Sequence, residues 1–489
     1  MKLSRLLLVP AALLAAVVAL SAPTTPTVVG NLTIEEAIQR ALQKNFSLEI
    51  GRYNPEIAHD AIDVARGGYL PELSATASRG GIRSDQNGTS PSTRTETGDL
   101  RLGVSQRFYT GTTATVSTKV DSFETSLNPA INPAYNADVT VSVRQQLLAG
   151  ADVEANRASL DRARIGFDRA NLTFKSTVLD VINSTERAYY ALAFAREQLD
   201  VRRFSLALAE RLLDEAKTRR QTGVATDLDV LQADVGVANA RRGVLLANQT
   251  VRDSEEALLA LISQFELDSR LGAVSLPSTS PATPMFASSY DAAKRNQPDF
   301  LAAQILLEQL KLDLKVAKSS QKHDLSVGAA VGLDSFSSRS TSNAYNGAFG
   351  RDQTSWQVDI AYKLPWGQVS SRGRYRQAAA TVHQQEVNLR SLEQNIEVQV
   401  RSAVRAVETN AESVQISSLA RELSEKQYEL EKARFDAGLS TSRRVLEAQN
   451  DLETARVNEL SARVALRNSY SALHRIEGSS LQRYGVTLP

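Results

Sequence analysis

The chain has 489 residues, 42% of them apolar and 23% charged, which is room for about three domains of ordinary globular composition. Fifty-six basic residues against 55 acidic ones give a net charge of +1, so the basic excess expected of a nucleic-acid binder is missing. There is no cysteine, and the four histidines (His59, His323, His383, His474) are scattered, which argues against disulfides, thiolate metal sites, cysteine nucleophiles, an N-terminal lipidated cysteine and any bound cofactor.

Met1–Ala22 has the layout of a secretory signal: Lys2 and Arg5 lead, Leu6–Leu20 is apolar apart from Pro10, and small Ser21 and Ala22 stand at the cleavage position. The competing reading is a membrane anchor. The run makes only roughly 22 Å of helix against a ~30 Å hydrocarbon core. Cleavage takes two positive charges and turns the net +1 into −1. Since no later run has 18 consecutive apolar residues, membrane insertion of the exported chain is expected to use β-strands.

A helical stretch, Ile34–Gly67, follows, with Thr33 and Glu36 spaced as a capping box. Strands are expected at Leu73–Gly81, Leu100–Phe108, Thr112–Phe123 and Asp138–Leu147, and later at Leu325–Leu333 and Trp356–Leu364. Val139, Val141 and Val143 alternate with Thr140, Ser142 and Arg144, and Trp356, Val358, Ile360 and Tyr362 with Gln357, Asp359, Ala361 and Lys363. Ser84–Gly98 and Ser335–Asp352 are polar and read as loops. An ordinary half-buried sheet fits the alternation equally well. Export, strands near ten residues, long polar loops and the aromatics Phe108, Tyr109, Trp356 and Trp366 at strand ends favour a membrane barrel.

Two proline-free stretches of about 70 residues, Asp152–Thr222 and Ser370–Ala437, predict helices roughly 100 Å long. Each ends at a glycine, Gly223 or Gly438, suited to the left-handed position after a helix, and Thr226 and Thr441 are placed to cap the return helices Asp227–Phe265 and Ser442–Ile476. Leu192, Leu199, Leu206 and Leu213 recur every seven residues; Ala188, Ala195, Ala209 and Ala216 hold the companion positions, with Arg202 the exception. That spacing indicates a left-handed coiled-coil seam, a packing stripe rather than a site. A second short helical stretch is expected at Tyr290–Ser320.

The chain also matches itself. Gly223–Thr226 and Val230–Ala233 correspond to Gly438–Thr441 and Val445–Ala448 at an offset of 215, Leu147–Gly150 to Leu364–Gly367 at 217, and Leu73-Ser74 to Leu325-Ser326 at 252. The order is the same in both halves, which reads as a tandem duplication. The fall from 252 to 217 places about 35 extra residues in the first half, expected as an extra hairpin at about 99–124. The expected organisation is a signal at 1–22, a first repeat at 23–275, a linker at 276–289, a second repeat at 290–478 and a tail at 479–489.

These residues in this order resemble the TolC-like outer membrane efflux protein family: Leu32-Thr33-Ile34-Glu35-Glu36-Ala37 with Asn45, Tyr69–Leu73 before the first strand, Leu147–Gly150 entering the long helix, and the two glycine turns with their Val-Leu-x-Ala sequels. The resemblance implies an α+β membrane protein, a homotrimeric outer-membrane β-barrel continued by a long periplasmic α-helical coiled-coil barrel built from two tandem repeats. It implies four strands per subunit, six if the extra hairpin joins them. It further implies partners: a periplasmic adaptor, an inner-membrane transporter and outer-membrane lipid, with no nucleic acid.

By the same resemblance the turns at Gly223, Thr226, Gly438 and Thr441 form the adaptor-docking tip. Asp229 matches a gate acid, Phe435 stands where tyrosine is frequent, and Arg444 and Glu447 fall where acids ring the aperture. Asp227 and Asp229 on one tip and Arg443 and Arg444 on the other carry opposite charge, and are expected to pair around a closed aperture. Helix-terminal electrostatics is the plainer reading; it favours the two acids but not the two arginines. No phosphate loop, HExxH or GxSxG occurs and His59-Asp60 is a poor dyad, so no enzyme is expected. A periplasmic coiled-coil scaffold without a pore is the alternative function.

Overall fold

The structure, a computed structural model, describes residues 28–29, 31–84, 93–126, 132–223, 225–263, 270–276, 283–350, 353–364 and 366–486. The expected signal at 1–22 lies outside the described residues, as does much of the linker. The chain divides into two compact units.

The first unit takes in residues up to Gln43, Ala188–Ser280 and Arg421–Leu460. It opens with β1 (Val28–Val29) and α1 (Ile34–Lys44), whose capping box forms as expected, Thr33 Oγ1 accepting from the Glu36 amide at 3.2 Å. β1 pairs in parallel with β6 (Arg270–Leu271). The unit's bulk is two helical hairpins. The C-terminal part of α3 (Val153–Gln221) turns into α4 (Asp227–Ile262), and that of α8 (Val369–Asp436) into α9 (Ser442–Glu477). Within the first hairpin Ala209, Leu213 and Ala216 of α3 are buried against Ala233 and Val237 of α4. The seven-residue seam is thus the contact surface, each covered leucine contributing about 1.5–3 kcal/mol, and the alanines let the helices approach. Arg202, the exception in the stripe, forms an ion pair with Glu453 of α9, and its stem lies against Gly243 of α4.

The second unit takes in Lys44–Arg187, Pro281–Ala420 and Ser461–Pro489. Its sheet has six strands in the order β2 (Glu72–Ser84), β3 (Thr93–Arg107), β4 (Thr112–Thr125), β5 (Ala134–Gln146), β7 (Asp324–Ser337), β8 (Gln353–Lys363). All neighbours are antiparallel. The hairpin expected at about 99–124 is thus formed by β3 and β4 as full members of the sheet. Their turn needs glycine at 111, where φ is +78° and a Cβ would collide with the Gly150 carbonyl. In the same unit Ile396, Val400, Val404 and Val407 of α8 are buried with Leu466, Tyr470 and Leu473 of α9, closed over by Ala293 and Phe300.

Four expectations change. The stretch Ile34–Gly67 is two helices, α1 and α2 (Phe46–Gly67): Asn45 is extended (φ −74°, ψ 125°) and its side chain accepts from Ser47 N at 2.9 Å, restarting the helix. Likewise Tyr290–Ser320 is α5 (Phe286–Asn296) and α6 (Pro298–Ser319), because the residue before Pro298 is pushed out of the helical region. The supposed loop Ser335–Asp352 contains α7 (Thr341–Gly350), and the supposed loop Ser84–Gly98 is strand at both ends, at Ser84 of β2 and from Thr93 of β3, its middle lying outside the described residues. Asparagine and glycine in α7 are weak helix formers; the helix is held by tertiary contact, with Ala344 and Ala348 buried against Ala137 of β5.

Candidate functional site

Strand register decides what the sheet can do. One row crosses all six strands through Leu73, Val104, Val116, Val141, Val331 and Trp356. On the opposite face the next row is Ser74, Gly103, Ser117, Thr140, Gly332 and Ser355, and beyond it come Thr76, Arg101, Lys119, Asp138, Asp334 and Gln353. In these rows one face is apolar across all six strands and the other is polar or charged. A water-soluble sheet would cover the greasy face, yet Trp356 is 80% exposed there. Trp366, just past β8, is exposed too, while the Tyr109 ring lies tilted against Tyr69 at 4.4 Å between ring centres. No helix among the described residues is long and apolar enough to cross a membrane.

The second candidate region is the pair of turns in the helical unit. Gly223 and Gly438 have φ of +74° and +76°, the left-handed conformation that glycine adopts without strain. At the first turn Thr226 caps α4 in a full box: Asp229 N donates to Thr226 Oγ1 at 3.3 Å, and Thr226 N donates to Asp229 Oδ2 at 2.9 Å. The Thr226 amide, then its hydroxyl, hold the Asp229 carboxyl below the usual aspartate range. Asp227 pairs with Arg220 of the same hairpin at 2.6 Å.

The second turn differs. Arg444 stands where Asp229 stands in the first, so no acid is available to return a hydrogen bond. The Thr441 carbonyl takes the Arg444 amide at 3.0 Å. Arg443 pairs with Glu447 one turn along α9 at 2.9 Å. Phe435 is 5% exposed, packed with Leu212 and Val445, and the Arg219 guanidinium lies 3.9 Å from its ring centre. Within one chain, then, Asp227 and Asp229 are engaged by their own hairpin and Arg443 by its own helix. Phe435 ties α8 to α3.

One buried contact was missed in the sequence. Gln449 Nε2 donates to the Ser205 carbonyl at 2.7 Å, beside the Arg202–Glu453 pair, at the edge of a cavity of about 450 Å³. The signal was the arginine interrupting an alanine stripe, which demanded a partner.

The profile of the outer membrane efflux protein family matches residues 113–264 and 289–479, most of the chain. The chain belongs to the outer membrane efflux protein family. Among relatives, it is 24% identical over 468 residues to the pyoverdine export outer membrane protein OpmQ of Pseudomonas aeruginosa, covering 92% of this chain and 85% of that one. It is 26% identical over 345 residues to the toluene efflux pump outer membrane protein TtgF of Pseudomonas putida, 67% of this chain and 68% of that one. A match at 26% identity to outer membrane protein TolC of Vibrio cholerae spans 42% of this chain and 48% of that protein. In fold it is similar to the Campylobacter jejuni CmeC outer membrane channel, with a TM-score of 0.69 at 16% identity over 93% of this chain and 90% of that one. VceC of Vibrio cholerae gives a TM-score of 0.69 at 16% identity over 91% of this chain and 96% of that one. This outer membrane efflux protein is accordingly an outer-membrane protein of the TolC-like type.

Proposed function

We propose that the protein is a homotrimeric, passive outer-membrane duct that carries cargo from a periplasmic adaptor and an inner-membrane transporter to the exterior, as in efflux or type I secretion. The carrying observation is the six-stranded sheet with one greasy face, one polar face and two open edges, β2 and β8. An open edge in a membrane leaves backbone groups unpaired at several kcal/mol each. Because six strands alternate in direction, β8 of one copy runs antiparallel to β2 of the next, so identical copies can close a barrel. Three copies of six strands give eighteen, a size that leaves an aqueous lumen. Arg101, Lys119, Asp138 and Asp334 then line that lumen, and Trp356 faces lipid.

Exposed apolar residues on the helices support assembly of the coiled-coil barrel in the same way. Leu228, Leu231 and Val235 make a stripe on α4, and Leu423 and Leu430 another on α8, seven residues apart. In this reading the turns at Gly223, Thr226, Gly438 and Thr441 dock the adaptor. Asp227, Asp229, Arg443, Arg444 and Glu447 bias the aperture between copies toward closure, with Phe435 bracing the tip. Exposed ion pairs are each worth about 0–1 kcal/mol, so the bias rests on repetition around the axis.

The test is fractionation followed by planar-bilayer recording. We expect an outer-membrane trimer that dissociates on heating, and a channel whose open time rises when Arg443 and Arg444 are both changed to Glu. A soluble periplasmic protein without conductance would replace the duct with a scaffold. An intact channel indifferent to the double reversal would remove the gate alone.

A further inference from the structure

Helix α7 lies on the greasy face of the sheet, where Ala344 and Ala348 are buried with Ala137 and Val120. Between the helix and the strands runs a groove of about 580 Å³, within the range of ~300–1,000 Å³ usual for small-ligand sites. Its walls include Leu100, Leu102, Thr118 and Val120 on the sheet and Thr341 and Tyr345 on the helix. All four strand residues belong to the greasy face by register, so the groove opens on the side of Leu73 and Trp356 and not on the side of Arg101 and Lys119.

The groove has a charged end. Arg79 lines it, and on the same face Arg83 and Arg94 are directly opposite one another, two rows further out. Arg79 reaches Glu96 at 3.1 Å and Arg94 reaches it at 2.8 Å. Glu124 is opposite Glu96 on β4. Three arginines and two glutamates thus share this corner of the face, Arg79 and Arg94 both bound to Glu96, at the end of the strands where β2 and β3 are joined. Arginine forks suit phosphate oxygens in two-point contacts. On α7 itself Tyr345 and Phe349 are edge to face at 5.1 Å, and both are exposed, as aromatics at a membrane–water boundary are.

We propose that the groove between α7 and the sheet holds an acyl chain of a membrane lipid that carries phosphate monoesters, of the lipid A kind, with a terminal phosphate met by Arg79, Arg83 and Arg94. The proposal rests on the reading of the greasy face as lipid-facing. A hydrocarbon chain fits an apolar slot open to lipid, and the arginines at its end match a headgroup anchored at the boundary. Lipid bound in this way would brace α7 against β4, β5 and β7, the strands it covers.

The experiment uses the full-length protein, extracted in detergent, with native mass spectrometry as the readout and two probes: a diphosphorylated lipid A and phosphatidylethanolamine. We expect saturable binding of one diphosphorylated lipid per chain, at least tenfold tighter than phosphatidylethanolamine. Filling the slot by Leu102→Trp or, separately, Thr118→Phe should lower that binding at least tenfold. Arg79→Gln with Arg83→Gln should abolish the preference between the two lipids, and millimolar inorganic phosphate should not displace the lipid. Equal binding by wild type and both slot-filling variants, or equal affinity for the two probes, would overturn the proposal, and so would displacement by inorganic phosphate. Heat-modifiable assembly of each variant shows that it has folded. A chain absent from the outer membrane would instead undo the lipid-facing reading itself.

Discussion

Asp229 is claimed by two roles, a gate acid between copies and the cap of its own helix. Its carboxylate accepts from the Thr226 amide, and its own amide is capped in return. Replacing Asp229 by Ala should cost about 0.5–2 kcal/mol in the first turn of α4, seen as faster amide exchange over residues 228–232. Because the folded state lowers its pKa, its contribution is present above the ordinary aspartate range and is lost as pH falls through the folded value. His474 works in the opposite region of pH. Burial first, and the Arg483 guanidinium second, push it below the usual histidine range, while Glu477 pulls the other way. Arg483 donates to its Nδ1 at 3.0 Å, which needs that nitrogen unprotonated, and the Tyr470 ring stacks on it. The unfolded chain takes up a proton first as pH drops below about 6.5, so stability falls there. Amide exchange of α10 (Ser480–Arg483) should speed up between pH 7 and pH 5, and His474→Gln should flatten that dependence.

For the elements, the long helices were legible because their causes are local. Proline-free runs, a glycine at each end and a threonine three residues on placed α3, α4, α8 and α9 to within a few residues. The breaks at Asn45 and Pro298 were equally local, but strong apolar patterning on both sides hid them. Arg202 and Glu453 belong to another class. Their pairing joins α3 to α9, and Glu453's side chain is only 12% exposed. Arg202→Ala strands that carboxylate and should cost about 1–3 kcal/mol. Arg202→Leu with Glu453→Leu removes both charges and extends the apolar seam, and should melt close to wild type. Thermal unfolding followed by helical circular dichroism compares the two; a double variant as weak as the single one would mean that the pair's shape, not its charge, is what the helices need.

Over the whole molecule, the inserted hairpin has the largest consequence. Offsets between the two halves located it, but not whether it would join the sheet. The register answers that for one chain: β3 and β4 sit between β2 and β5, each bonded along its length. Removing Thr93–Thr125 would leave β2 beside β5 with their antiparallel sense kept. If three copies close the barrel, its diameter should fall by about a third, measurable as a smaller ring in electron-microscopy projections and a lower cut-off for permeating polymers. An unchanged ring would mean the hairpin lies outside the wall.

The sequence by itself determined the rods, their turns, the alternating strands and the family, since a period of 3.6 or 2 and the chemistry of a cap are written within a few residues. Only the tertiary structure decided that α7 exists, that Phe435 is core, and that Gln449 braces Ser205 from 244 residues away. Those outcomes depend on which surfaces meet after the chain has folded, and a side chain buried by a distant partner leaves no period in its own neighbourhood to announce it.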